Sequence, residues 1–159
     1  SIMIANNLCY STLILNDEDV TGIDEKDILT VHVNKNTVYR FVRSSVRESI
    51  LGTLLSRWLR KRKEVKARMK RCEDPMLALI LDKQQLALKV TCNAFYGFTG
   101  AVHGLLPCLP LAASITSIGR DMLRQTSDFI NNVLSSREYV SEKFSLSDGD
   151  FQGDFSPEC

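Results

Sequence analysis

The chain has 159 residues, 44% hydrophobic and 25% charged, which is enough for one domain with a real core. Its formal net charge of +1 hides a segregation: residues 57–71 hold nine Lys or Arg against one acid, Glu64, whereas residues 137–159 hold six acids against two bases. No apolar run reaches membrane-spanning length, no signal peptide is evident, and five scattered cysteines with only two histidines argue against zinc and against a disulfide framework, so a reducing compartment fits best.

Residues 1–15 are apolar apart from Asn6-Asn7 and Ser11-Thr12, the pattern of a short buried helix running into a strand. Residues 16–27 are acidic and polar with a glycine and read as a loop. Residues 28–33 and 37–42 alternate apolar and polar side chains about Asn34-Lys35-Asn36, which predicts a β-hairpin. Ser44 or Ser45 is placed to cap the next helix, whose apolar stripe of Val46, Ile50, Leu54, Trp58, Leu59 and Val65 continues to about Arg71. Asp74 as N-cap and Pro75 at the first helical position start a second helix. Met76, Leu77, Ile80, Leu81, Leu86 and Val90 carry it to about Tyr96, and Gly97 or Gly100 ends it. The short break at Cys72-Glu73 makes the two helices antiparallel neighbours. Gly104, Pro107 and Pro110 mark a connection, residues 111–134 a third helix, and the Ser- and Asp-rich residues 135–159 a flexible acidic loop. The class is mainly α with a small β portion. Because Ser1-Ile2-Met3-Ile4 already has the pattern of a structured interior, and the polar end at Cys159 has no terminating signal, the chain reads as an internal fragment of a larger protein.

The densest chemistry lies at residues 89–100. Lys89, Asn93 and Tyr96 stand at i, i+4 and i+7, one face of a helix, with Gly97 beside them. A cation, an amide, a ring and a glycine suit a nucleotide. On the facing helix Arg62 and Lys66 are again i and i+4. If both faces meet one cleft, three cations and an amide converge, as a triphosphate requires. By spacing alone Arg62 and Lys66 also fit a solvated face, Tyr96 a core residue, and Gly97 a helix terminator. The basic block at 57–71 suggests a polyanion partner.

The run Lys89-Val-Thr-Cys-Asn93-Ala-Phe-Tyr96-Gly97-Phe-Thr-Gly100 resembles the K-x-x-x-N-x-x-Y-G motif of family B DNA polymerases, and with F-T-G appended its herpesvirus branch. Ser1-Ile2 matches the end of that family's D-x-x-S-L-Y-P-S-I palm motif, and residues 7–13 resemble the herpesvirus continuation. Ala94, where many members have serine, and residues 109–123 look most like the betaherpesviruses. The resemblance implies a palm segment at 1–45, an antiparallel helical-hairpin fingers region at 46–100, a palm connection and helix at 101–134, and a variable insertion beyond. It implies dNTP binding by Arg62, Lys66, Lys89 and Asn93, and nascent base-pair contact by Tyr96 and Gly97. It also implies Mg2+, primer–template DNA, a viral processivity subunit and a host-nuclear location. The family's metal-binding aspartates lie in motifs that flank these residues. Asp74, Asp82 and Asp121 do not match them, so no catalytic residue and no metal ligand is assigned, and the chain alone is expected to be inactive. The rival readings are a non-catalytic helical module binding nucleic acid through residues 57–71, and a helical scaffold for protein partners.

Overall fold

The computed structural model describes residues 1–101, 103–104 and 106–151. The chain is mainly helical with one small antiparallel sheet, as its patterning predicts. It divides into two units, residues 1–117 and 118–159.

In the first unit, the short helix α1 (Ile2–Ala5) leads through a left-handed residue, Asn7, into strand β1 (Leu13–Ile14). Strands β2 (Ile28–Asn34) and β3 (Thr37–Val42) form the predicted hairpin, and the sheet order is β1-β3-β2. Asn34 closes the hairpin turn by accepting the Asn36 amide through Oδ1 at 2.9 Å. The central strand carries Phe41, opposite Leu13 on one side and Leu29 on the other, and its side chain is wholly buried.

Asn7 joins the layers. Its Nδ2 donates to the carbonyls of Val42 and Arg47, both at 2.8 Å, and its Oδ1 accepts the Ser49 amide at 2.9 Å. One buried amide side chain thus ties α1 to the end of β3 and to the start of the next helix. Asn at φ 56 is chemically apt, because its short polar side chain tolerates the left-handed region better than most.

That next helix, α2 (Ile50–Lys70), is capped by Ser49, whose Oγ accepts the Gly52 amide at 2.8 Å. The cap is neither Ser44 nor Ser45. Ser45 is occupied instead, donating to Asp27 Oδ1 at 2.5 Å, and the backbone from Arg43 to Arg47 makes a separate turn. Gly52 is required by closeness: a Cβ there would meet Ser49 Oγ at 2.9 Å and push the cap aside. The expected stripe begins later than its spacing suggests. Leu55 and Val65 are buried, and Leu54, Trp58 and Leu59 half-buried, but Val46 and Ile50 are exposed because they precede the packed face.

Helix α3 (Pro75–Gly100) starts as predicted, with Asp74 Oδ1 accepting the Met76 amide at 2.9 Å and Pro75 in the first turn. It packs antiparallel on α2, with Leu81 buried and Trp58 edge-on to Phe95 at a centroid distance of 4.9 Å. Phe95 in turn meets Phe98 at 5.0 Å. Gly97 does not terminate α3. The helix passes through it and ends at Gly100, the second of the two glycines expected to stop it, with Ala101 as C-cap. Helix propensity is a weak preference, and the seam of Phe95, Phe98 and buried Thr99 holds this turn together.

Helix α4 (Leu109–Phe129) buries Leu111, Ala112, Ser114, Ile115 and Ser117. Ser117 donates to the His32 carbonyl at 2.9 Å and anchors α4 to β2. The α-helical pattern stops at Phe129 rather than at 134, and Ile130–Leu134 follow as a π-helical turn.

In the second unit, part of the acidic region expected to be a loop is helical. Helix α5 (Arg137–Phe144) is capped by Ser136, which accepts the Tyr139 amide at 3.3 Å, and ends at Ser145 with φ 55. Tyr139 packs edge-on against Phe129, and Arg137 stacks 4.5 Å from the Phe151 ring centroid. A cap and a few aromatic contacts outweigh the loop-like composition. Residues 152–159 of that predicted loop lie outside the described residues. No helix among the described residues is long and apolar enough to cross a membrane.

Candidate nucleotide site

The antiparallel pairing of α2 and α3 follows from the sequence between them: the Asp74-Pro75 restart leaves no room for anything but a tight reversal. This brings the basic face of α2 alongside the residues of the K-x-x-x-N-x-x-Y-G run.

Arg62 is half-buried between the helices. Its Nε donates to Gln85 Oε1 at 3.2 Å, and Gln85 Nε2 donates to Asp82 Oδ1 at 3.0 Å. The guanidinium is therefore oriented through Nε, and its two terminal amino groups carry no hydrogen bond among the described residues. That arrangement leaves a planar pair of donors free for an oxyanion. Lys66, one turn on, is exposed. Both line an open groove of 630 Å³ together with Ser56, Leu59, Arg60 and Lys63. The one acid of the basic block, Glu64, lies 3.8 Å from Lys61 and does not neutralise this groove.

On α3, Lys89 and Asn93 are both exposed. Asn93 lines a separate depression of 300 Å³ with Ser1, Ile2, Met3, Leu55, Cys92 and Ile115. Lys89 lines neither. The structure thus unites Arg62 with Lys66, and among the described residues Asn93 lines a different cavity from that pair. The side chain of Tyr96 lies outside the described residues. At Gly97 a Cβ would meet nothing within 4 Å. A glycine inside a helix costs roughly 1 kcal/mol relative to alanine, and no contact among the described residues demands it. The open space above it permits close approach of something else.

Three residues of the site escaped sequence reasoning. Arg60 and Lys63 were lost among nine bases, and only the groove singles them out. Gln85 holds Arg62 in place. Its signal was the polar run Asp82-Lys83-Gln84-Gln85 between two apolar stretches of the helix, with Asp82 and Gln85 at i and i+3. Among the described residues no group of three or more His, Cys, Asp or Glu is placed to hold a metal ion.

These features coincide with a known family. The sequence profile of DNA polymerase family B matches residues 1–155. The DNA polymerase catalytic subunit of Human herpesvirus 6A (strain Uganda-1102) is 54% identical over 158 residues, covering 99% of this chain and 16% of that protein. The corresponding subunit of Rhesus cytomegalovirus (strain 68-1) is 48% identical over 154 residues, 97% of this chain and 14% of that protein. Among solved structures, the family B DNA polymerase of the hyperthermophilic archaeon Pyrobaculum calidifontis superposes with a TM-score of 0.66 at 21% identity, over 92% of this chain and 21% of that one. At that identity the likeness speaks for the fold. The chain belongs to DNA polymerase family B. It spans about a sixth of the length of the herpesvirus relatives named here.

Proposed function

We propose that the complete protein is a viral DNA-directed DNA polymerase. It transfers a deoxynucleoside monophosphate from a dNTP to a primer 3′-hydroxyl and releases pyrophosphate. Identity of 54% to a protein named as a DNA polymerase catalytic subunit supports this. The observation that carries it is the Arg62 guanidinium, held by Gln85 from the facing helix with two donors left over, beside Lys66.

In this reading residues 46–100 are the fingers, and residues 1–45 and 101–134 belong to the palm. Arg62, Lys66 and Lys89 bind the triphosphate and neutralise charge that develops on the departing pyrophosphate. Asn93 orients the nucleotide. Tyr96 and Gly97 meet the nascent base pair, and the bare backbone at Gly97 lets a base approach closely. Among the described residues Asn93 and the Arg62–Lys66 pair line different cavities, so nucleotide binding includes a movement that brings α3 and α2 around the phosphates. Family B DNA polymerases are metal-dependent, and Mg2+ is the ion we assign to the complete enzyme. The described residues do not fit a metal centre, and no step is routed through it. Primer–template DNA and dNTP are the substrates, a processivity subunit is the protein partner, and the host nucleus is the location.

The test is Lys89→Ala in the complete enzyme. Steady-state primer extension should lose one to two orders of magnitude in kcat/KM for the nucleotide, in line with removal of about 1.5–3 kcal/mol of charge-assisted hydrogen bonding. Primer–template affinity should stay within twofold. An equal fall in DNA affinity would make Lys89 a backbone contact and sink the assignment.

A further inference from the structure

The groove of Arg62 and Lys66 does not end at Arg60. A second groove of 320 Å³ continues toward the base of α2, sharing Ser56 and Arg60 with the first. Its walls are Ser44, Glu48, Ser56, Arg57 and Arg60, over a floor formed partly by Asn7, Ser49, Gly52 and Thr53. From Gly52 to Lys66 the combined lane follows the helix for roughly 21 Å at 1.5 Å per residue.

The floor is rigid and chemically satisfied. Asn7 and Ser49 are spent on hydrogen bonds that hold α1 to α2, and Thr53 donates to the Ser49 carbonyl at 3.0 Å. The walls are the opposite. The side chains of Ser44, Ser56, Arg57 and Arg60 have no hydrogen-bond or ion-pair partner among the described residues. Two guanidiniums three residues apart and two hydroxyls therefore point free donors at one groove. Glu48 is the one acid among its lining residues, and among the described residues it forms no ion pair with either arginine.

Arg57 and Ser44 lie outside the groove of Arg62 and Lys66, whereas Ser56 and Arg60 line both grooves. At 100° per residue, Arg57 stands about 140° around α2 from Arg62. A triphosphate held by Arg62 against α3 is out of reach of Arg57. The ligand must therefore be a second anion, and the lane's continuity makes it an extended one. Guanidiniums and hydroxyls are the ordinary ligands of a nucleic-acid backbone, and a basic groove that tracks an element is how such a backbone is followed.

Resting on the polymerase reading above, we propose that Arg57 and Arg60, with Ser44 and Ser56, form a phosphate-binding subsite for the backbone of a DNA strand running along the outer face of α2. It contributes strand affinity and no sequence preference.

The experiment uses the complete polymerase and a primer–template duplex with a single-stranded template overhang. DNA affinity is read by fluorescence anisotropy across a salt series. Arg57→Ala should weaken binding about fivefold to tenfold and lower the slope of log K against log salt by about one, while the nucleotide KM does not move. Arg57→Lys, which keeps the charge, should restore the slope. Lys83→Ala, an exposed cation on α3 outside both grooves, should leave the slope as it was. An unchanged slope in Arg57→Ala overturns the proposal. So does an equal loss in Lys83→Ala, which would mean diffuse charge, or a rise in nucleotide KM, which would return Arg57 to the nucleotide site. Inorganic phosphate protecting Arg57 from arginine-specific modification, with DNA affinity unaffected by the substitution, also overturns it in favour of a free-anion site. If the wild type binds DNA and shows the Arg57 effect but extends no primer, the polymerase reading fails and the subsite stands.

Discussion

The sheet with α1 and the helical hairpin of α2 and α3 belong to one unit but are held by different means. At the base, Phe41, Leu8 and Thr12 are wholly buried, and Asn7 is hydrogen-bonded to three separate segments. Along the hairpin each helix has mainly the other for company. Met76, Leu77, Leu79, Ile80, Leu86 and Val90 remain 41–66% exposed, more than a packed helix face allows. The Arg62–Gln85 bond is the one side-chain hydrogen bond that crosses between α2 and α3 among the described residues. A base that is packed and cross-bonded resists opening, whereas a hairpin with one covered face opens locally at lower free energy. This difference is what an element that closes on a ligand needs.

The comparison breaks if the base is not the stronger region. Phe41→Ala should have the largest effect, about 3–5 kcal/mol lost in urea unfolding, because a wholly buried ring leaves a cavity under both neighbouring strands. Asn7→Gly should cost about 1–3 kcal/mol, since it relieves the left-handed backbone yet leaves the Val42 and Arg47 carbonyls and the Ser49 amide without their partner. Asn7→Ala should cost more than Asn7→Gly by the added strain of a Cβ at φ 56. Equal costs would mean that side-chain bonding is the whole effect. The smallest change sharpens the contrast. Asp74→Ala removes the α3 cap and should cost about 1 kcal/mol. Amide exchange should quicken at residues 75–80 and stay unchanged in β2 and β3. Equal quickening in the strands would show that hairpin and base open as one cooperative body.

Much of this arrangement was legible in residue order, and the failures have particular causes. Asp74-Pro75 places the start of α3 correctly because both residues act through their own backbone and side chain, within one turn. The β2–β3 hairpin was legible because alternation and turn residues are equally local. The α2 cap was misplaced by a few residues because three serines compete, and the choice rests on Asn7, forty-two positions away, receiving the Ser49 amide. Gly97 reads as a stop signal, yet packing at Phe95 and Phe98 carries α3 past it. In the candidate site, the spacing and resemblance singled out Arg62, Lys66, Lys89, Asn93, Tyr96 and Gly97. They could not show that Arg62 is aimed by Gln85, or that Asn93 faces α1 and α4 rather than the Arg62 groove.

What the sequence determined by itself was the set of local elements, the charge segregation and the family motif, because helix periodicity, capping and turn chemistry act over a few neighbouring residues. What only the tertiary structure decided was which cations share a groove, which serine begins α2 and where the free donors lie. Those depend on contacts between residues far apart in the chain, and the free energy of such contacts is set by burial and by who else competes for each hydrogen bond.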